Sequence, residues 1–184
     1  MLKLKSLQSF FLSLLAMLIM NSCSQELTEI EERIRVQAEK NGTEYTDIEI
    51  KKTAAYLLEW GRPNFYEEQI NKFLEIDKFT EHAENPILFV GSSSIRFWKT
   101  LKQDMSPLPV LNRGFGGAHI SHVNNHFDQI VYAYDPKGIV FFCGTNDIAA
   151  LKTPEEVYQD FLIFYEKVQQ QLPKTKIFFI GIKP

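Results

Sequence analysis

Residues 87–95 read Ile87-Leu88-Phe89-Val90-Gly91-Ser92-Ser93-Ser94-Ile95. Four apolar residues in a row fit a short strand buried on both faces, the pattern of a parallel sheet rather than of an alternating antiparallel one. A glycine and three serines follow before apolar character returns at Ile95, where a helix of roughly 94–103 is predicted. A small-residue turn between strand and helix exposes a side chain above the sheet. It also aims the first backbone N–H groups of the helix at whatever binds there. A serine in such a turn is a candidate nucleophile. Read alone, it is equally a helix N-cap or part of an anion-binding nest.

The same alternation continues downstream. Val110 and Leu111 mark a second strand, followed by a glycine-rich loop and a predicted helix from about His119 to Tyr132. Gly138 to Cys143 reads as a third strand, with Cys143 a buried core thiol. Thr153, Pro154 and Glu156 spell a helix start, with an N-cap, a proline in the first turn and a capping box. That helix places Val157, Phe161, Phe164, Val168 and Leu172 on one face. Lys176 to Ile182 reads as a fourth strand. Strands alternating with helices imply parallel pairing through right-handed crossovers. The expected fold class is α/β, a three-layer doubly wound parallel sheet. Its ligands are expected at the carboxyl ends of the strands.

Three of those strand ends carry unusual residues. Beside 91–94 stand Asn112-Arg113-Gly114-Phe115-Gly116-Gly117-Ala118 and Gly144-Thr145-Asn146-Asp147. Glycines at 114, 116 and 117 let the backbone approach a ligand closely, although the dinucleotide and Walker patterns are absent. A side-chain amide in the third loop can donate a hydrogen bond into the same cleft, and Asp147 can cap or brace that loop.

Taken together and in this order, the three loops resemble those of the SGNH hydrolases, the GDSL esterase and lipase family. Gly91-Ser92-Ser93 matches the family's Gly-Asp-Ser block, Gly117 its second-block glycine, and Gly144-Thr145-Asn146-Asp147 its Gly-x-Asn-Asp block. The resemblance covers about Ile87 to Pro184. It implies a flavodoxin-like sheet, Ser93 as nucleophile, and an oxyanion hole from the N–H groups of Ser93 and Gly117 and the amide of Asn146. Gly91 and Asp147 would support them. It further implies small acyl esters of carbohydrates or lipids as substrates, with no cofactor or metal. Ser92 and Ala118 stand where the family usually has Asp.

The resemblance also implies an Asp-x-x-His block that supplies the base. None of His82, His119, His122 and His126 has an Asp three residues before it. The expectation is therefore a domain lacking its last strand and helix, with little activity by itself. Its apolar fourth strand, meant for a sheet interior, would stand as an exposed edge. His119, two residues after Gly117, is a candidate substrate contact. His119, His122 and His126 follow a spacing seen in metal sites, but no Cys or carboxylate accompanies them. They read as a polar helix face near the cleft mouth.

Upstream, Lys3 and Lys5 precede an apolar run from Phe10 to Met20, the length of a signal h-region and too short to span a bilayer. Asn21 and Ser22 lead to Cys23, an arrangement that resembles a bacterial lipobox and implies lipidation of Cys23 and a place in the cell envelope. A plain secretory signal or a short anchor helix is the alternative. The organisation expected is a signal at 1–22, a polar tether or solvated helix at 23–47, a helical extension at 48–84 and the hydrolase-like domain at 85–184. Asn41-Gly42 marks a break. Trp60, Phe65 and Tyr66 form an aromatic group that either packs a helix on the sheet or stacks on a sugar. The 184-residue chain has a net charge of −3 without a basic block. This argues against a nucleic-acid surface, which needs clustered Lys and Arg.

Overall fold

The computed structural model describes the backbone of residues 2–182 and the side chains of residues 22–182. The side chains of residues 1–21 of the expected signal segment, including Lys3, Lys5 and the run Phe10–Met20, lie outside the described residues. Among the described residues no helix is long and apolar enough to cross a membrane.

The chain divides into two compact units at Trp60/Gly61. The first holds α1 (Leu2–Asn41) and α2 (Asp47–Trp60). Helix α1 stops where the sequence breaks. Gly42 adopts φ +65°, and the N–H groups of Gly42 and Thr43 return to the carbonyls of Glu39 and Ala38. These bonds satisfy carbonyls that the helix end would leave unpaired. Thr46 and Glu49 then form a capping box for α2, through Thr46 N–H to Glu49 Oε2 at 2.8 Å and Glu49 N–H to Thr46 Oγ1 at 3.3 Å. Ile34 and Ala38 of α1 are buried, as are Ile50, Ala54 and Leu57 of α2. Residues 23–47 are thus mostly helix, one arm of a helical hairpin.

The second unit begins with α3 (Glu67–Asp77) and contains the sheet. The expected 48–84 extension is accordingly split, with α2 in the first unit and α3 in the second. The strands are β1 (Ile87–Gly91), β2 (Val110–Gly114), β3 (Gly138–Phe142) and β4 (Lys176–Phe179), all parallel, in the order β2-β1-β3-β4. Between β1 and β2 run α4 (Ser93–Arg96) and α5 (Leu101–Asp104). Between β2 and β3 run α6 (Ile120–Asn125), α7 (Phe127–Ile130) and a 3₁₀ turn at Tyr132–Tyr134. Between β3 and β4 run α8 (Thr145–Ala149) and α9 (Pro154–Gln171).

Residues of opposite parity in β1 feed opposite layers. Phe89 packs with Ile95, Leu101 and Trp98 on the α4–α5 side, its ring 5.6 Å from the Trp98 ring. On the other side Phe141 of β3 lies 4.4 Å from Phe164 of α9, which also meets Phe127 of α7 at 5.9 Å. Phe89, Phe127, Phe141 and Phe164 are all essentially inaccessible. Truncating such a ring to Ala typically costs about 3–5 kcal/mol. The capping box of α9 forms as its sequence requires, with Glu156 N–H on Thr153 Oγ1 and Thr153 N–H on Glu156 Oε2. Among the described residues β4 pairs only with β3, and Phe178 and Phe179 are about half exposed.

Two predicted helices are broken. The 94–103 segment folds as two four-residue turns, α4 and α5. The 119–132 segment breaks at His126, whose φ/ψ of −102°/16° leaves the helical region.

Helix α3 is pinned to the sheet by a charged cluster. Arg113 of β2, 5% exposed, donates through Nη2 to Asp77 Oδ1 at 2.5 Å and through Nε to Tyr134 Oη at 2.8 Å. Tyr134 donates to Asp77 Oδ2, and His82 Nε2 lies 2.6 Å from Asp77 Oδ1. Burial opposes ionisation of Asp77, but hydrogen bonds from Tyr134 and His82 and the Arg113 charge outweigh it, holding the carboxyl below its ordinary value. A buried ion of this kind is tolerable only when its partners are complete.

Candidate active site

The parallel register places Gly91 opposite both Gly114 and Phe142, so the carboxyl ends of β1, β2 and β3 lie side by side. The loops leaving them are tied to one another. From the first loop, Ser92 N–H donates to Phe142 O at 3.1 Å, and Phe115 N–H donates to Gly91 O at 3.0 Å. Gly91 has φ +143°, and a Cβ there would lie 1.9 Å from the Phe142 carbonyl oxygen. No other residue fits that crossing of β1 and β3 without moving the backbone.

Ser93 opens α4 and is partly accessible, whereas Ser92 is 3% exposed. The turn beneath Ser93 is braced by Asn112, a residue that sequence pattern did not single out. Its Nδ2 donates to Ile95 O at 2.6 Å, and its Oδ1 accepts from Gly114 N–H at 2.9 Å. One side chain thereby ties the serine turn to the glycine loop.

The second and third loops meet at the Ala118 carbonyl. It accepts from Asn146 Nδ2 at 2.9 Å and from Cys143 Sγ at 3.2 Å. Gly117, at φ +76°, turns the chain so that this carbonyl faces the third loop. An amide nitrogen carries two hydrogens, so Asn146 keeps a second donor beyond the one given to Ala118. Asp147 is completely buried and accepts from Ile120 N–H through both oxygens, at 3.3 and 3.1 Å. It thereby fixes the start of α6, directly after the glycine loop. Lys152 holds Asp147 at 2.8 Å and Asp160 at 2.7 Å and donates to Ser121 Oγ at 3.2 Å. Burial opposes the Lys152 charge, yet the two carboxylates raise its pKa overall. Lys152 is therefore an ammonium brace and not a base. Burial pushes the Cys143 thiol well above its ordinary pKa, which keeps it a core thiol.

The histidines do not form a polar face at a cleft mouth. His119 and His122 are 0% exposed and His126 is 6% exposed, and the break at His126 removes the continuous helix that the spacing assumed. His119, expected to touch substrate, is instead stacked on His122 at 4.7 Å inside the fold. A ring with no accessible surface cannot meet a substrate. The tautomer of His122 is set by its partners. The backbone N–H of His119 donates to its Nδ1 at 2.9 Å, and Nε2 lies 3.1 Å from the Arg62 carbonyl, which can only accept. His122 is thus a neutral imidazole protonated at Nε2. His126 uses Nδ1 on Gln129, and His82 faces Asp77. Among the described residues no group of His, Cys, Asp or Glu could hold a metal ion.

Of the aromatic group, Tyr66 is buried against Phe115 at 5.4 Å and His122 at 5.0 Å. Phe65 stacks edge-on to it at 5.0 Å, while Trp60 belongs to the other unit, beside Tyr56.

Comparison with solved structures places this architecture. A protein from Streptococcus pneumonia described as a platelet activating factor superposes with a TM-score of 0.58 at 21% identity, over 76% of this chain and 63% of its own. A GDSL-like lipase from Bacteroides thetaiotaomicron superposes with a TM-score of 0.53 at 17% identity, over 60% of this chain and 56% of its own. The chain has the SGNH hydrolase fold. It spans less than two thirds of the length of either relative. No family model and no curated protein matches the sequence. Within the SGNH fold, Ser93, Gly117 and Asn146 all lie on loops that leave the carboxyl ends of adjacent strands, where ligands of doubly wound sheets bind.

Proposed function

We propose that this chain carries the nucleophile and oxyanion hole of a serine esterase acting on acyl esters, acetyl esters of carbohydrates or lipid esters among them. The observation that supports this most is the convergence on Ala118. Asn146 and the residue after Gly117 are tied together there, at strand ends adjacent to the Ser93 turn. In the reaction, Ser93 Oγ attacks the ester carbonyl while a base removes its proton. Negative charge then collects on the former carbonyl oxygen. The N–H groups of Ser93 and Gly117 and the second Asn146 hydrogen stabilise it before the alcohol departs. Water then attacks the acyl-serine and releases the acid. Preorganised donors of this kind need not reorient as the charge develops, which is why they lower the barrier.

A serine needs a base. His82, His122 and His126 are committed to Asp77, Arg62 and Gln129, and His119 is fully enclosed. We infer that the base is not among the described residues and that the chain alone is a poor catalyst. The same observation favours a second reading, a non-catalytic carbohydrate- or surface-binding protein. We further propose that Cys23 is lipidated, holding the protein at the bacterial cell envelope, or that the protein is secreted if it is not.

The two readings separate in a chemical-rescue assay. Added imidazole can act as the missing base. Aryl acetate hydrolysis by the full chain should then rise above the free-imidazole background and return to background in Ser93→Ala. Equal rates in the two proteins would remove the esterase reading and leave the binding one.

A further inference from the structure

Beside the serine turn, the free edge of β2 borders a cavity of about 430 Å³ between α3 and the α4–α5 segment. Its charged lining is Lys72, Arg96, Lys99 and Lys102, and among the described residues no carboxylate lines it. In a chain of net charge −3 this is a local reversal of sign. Lys72 is neutralised by Glu68 at 2.6 Å. Arg96 donates only to the neutral Gln69 oxygen at 3.1 Å among the described side chains, and no described carboxylate pairs with Lys99 or Lys102. The Asp104 carboxylate accepts from Trp98 Nε1 and Thr100 Oγ1 at 2.5 and 2.7 Å and forms no ion pair with either lysine among the described residues. Three cations therefore line one concavity without an ion-pair partner among the described residues, and the Trp98 ring supplies an apolar wall.

Its position connects this cavity to the candidate active site. Arg96 follows Ser93 by one helical turn, a separation of about 5–6 Å between Cβ atoms. Its guanidinium lies against the glycine loop, for a Cβ on Gly116 would come within 2.8 Å of Arg96 Nη1. Gly116 adjoins the candidate oxyanion residue Gly117. Arg96 thus stands between the reacting centre and the cavity, which runs on past Asn112 and Val110 to Lys102.

We propose that this cavity binds the anionic part of the ligand processed at the strand ends, so that the substrate class is an ester bearing a carboxylate or phosphate close to the acyl group. Arg96 takes the charge nearest the ester, and Lys99 and Lys102 extend the field outward. Guanidinium suits either anion because its planar donors match two oxygens at once. This inference rests on the esterase reading for the word substrate, but the binding itself does not require turnover.

The test is ligand-observed NMR titration of the full chain with 4-acetoxybenzoate and with its neutral methyl ester. The anion should bind at least tenfold more tightly, and the advantage should shrink as salt is raised. It should disappear in Arg96→Gln and in the Lys99→Gln/Lys102→Gln double variant, whose exposed positions leave the fold intact. A phenyl phosphate titration tells phosphate from carboxylate preference. Equal affinity for the acid and its methyl ester, or a preference that survives both variants, overturns the proposal. An anion preference that persists when Ser93→Ala matches wild type in the imidazole assay would keep the cavity as an anion site and discard only the esterase reading.

Discussion

Asn146→Ala is expected to lower imidazole-supported turnover about 100- to 1,000-fold, or about 2.7–4 kcal/mol of transition-state stabilisation, with little change in KM. The asymmetry follows from where charge appears. The substrate carbonyl is nearly neutral, and only the tetrahedral intermediate presents a full oxyanion. Asn146 also holds the Ala118 carbonyl at 2.9 Å, so alanine removes a brace along with a donor. Asn146→Asp separates the two effects in part, since it preserves side-chain size but presents acceptors to both Ala118 O and the oxyanion. It should be at least as damaging as alanine. Gly117→Val should lose turnover to a similar degree, because φ +76° disfavours a β-branched residue and the donor would be displaced. A rise in KM with kcat preserved would reassign both residues to ground-state binding.

The second large effect is on stability in mild acid. Burial, then the Lys152 charge, lowers the pKa of His119 to about 3. Burial, then His119 and Lys152, lowers that of His122 to about 4. Both folded values lie below the ordinary 6.5, so between them the unfolded chain binds protons that the folded chain refuses. Stability from these groups is fully present above pH 6.5 and is lost as pH falls towards 4 and 3. By pH 4.5 the loss from the two groups together should be about 5 kcal/mol. The structural cause is explicit for His122. Protonating Nδ1 would set a donor against the His119 N–H and loosen the start of α6, next to Gly117. Urea denaturation from pH 7 to pH 4.5 measures this, and His122→Gln, which can accept and donate in the same places, should flatten the slope. An unchanged midpoint across that range would contradict the neutral-histidine assignment.

What could be read from the sequence was largely local. The start of α9 is a case in point: Thr153, Pro154 and Glu156 contain their own partners within four residues, so the capping box was predictable. The strand cores and the three loops were also legible, because apolar runs and glycines report their environment directly. The readings that failed depended on distant partners. Asn112 and Arg113 look like loop residues, yet they belong to β2 because Ile95 and Asp77, 17 and 36 residues away, satisfy their polar atoms. The predicted 94–103 helix divides where Asn112 claims the Ile95 carbonyl. The histidine face assumed an unbroken helix, and burial beneath Tyr66 and Arg62 turned two of its members into neutral core groups. Lys152 offered no local signal, since its role depends on Asp147, Asp160 and Ser121 meeting in space.

In the proposed function the turn after β1 presents Ser93 as a nucleophile beside donors from the two neighbouring strand ends. Covalent labelling tests it most directly. The full chain is treated with a fluorophosphonate in the presence of imidazole, and the modified residue is mapped by fragmentation of the 91–96 peptide. A phosphonyl adduct is expected on Ser93, formed faster than in the urea-unfolded chain and slowed by Asn146→Ala. An adduct on Ser92 or Ser94, or labelling no faster than in the unfolded chain, would contradict it.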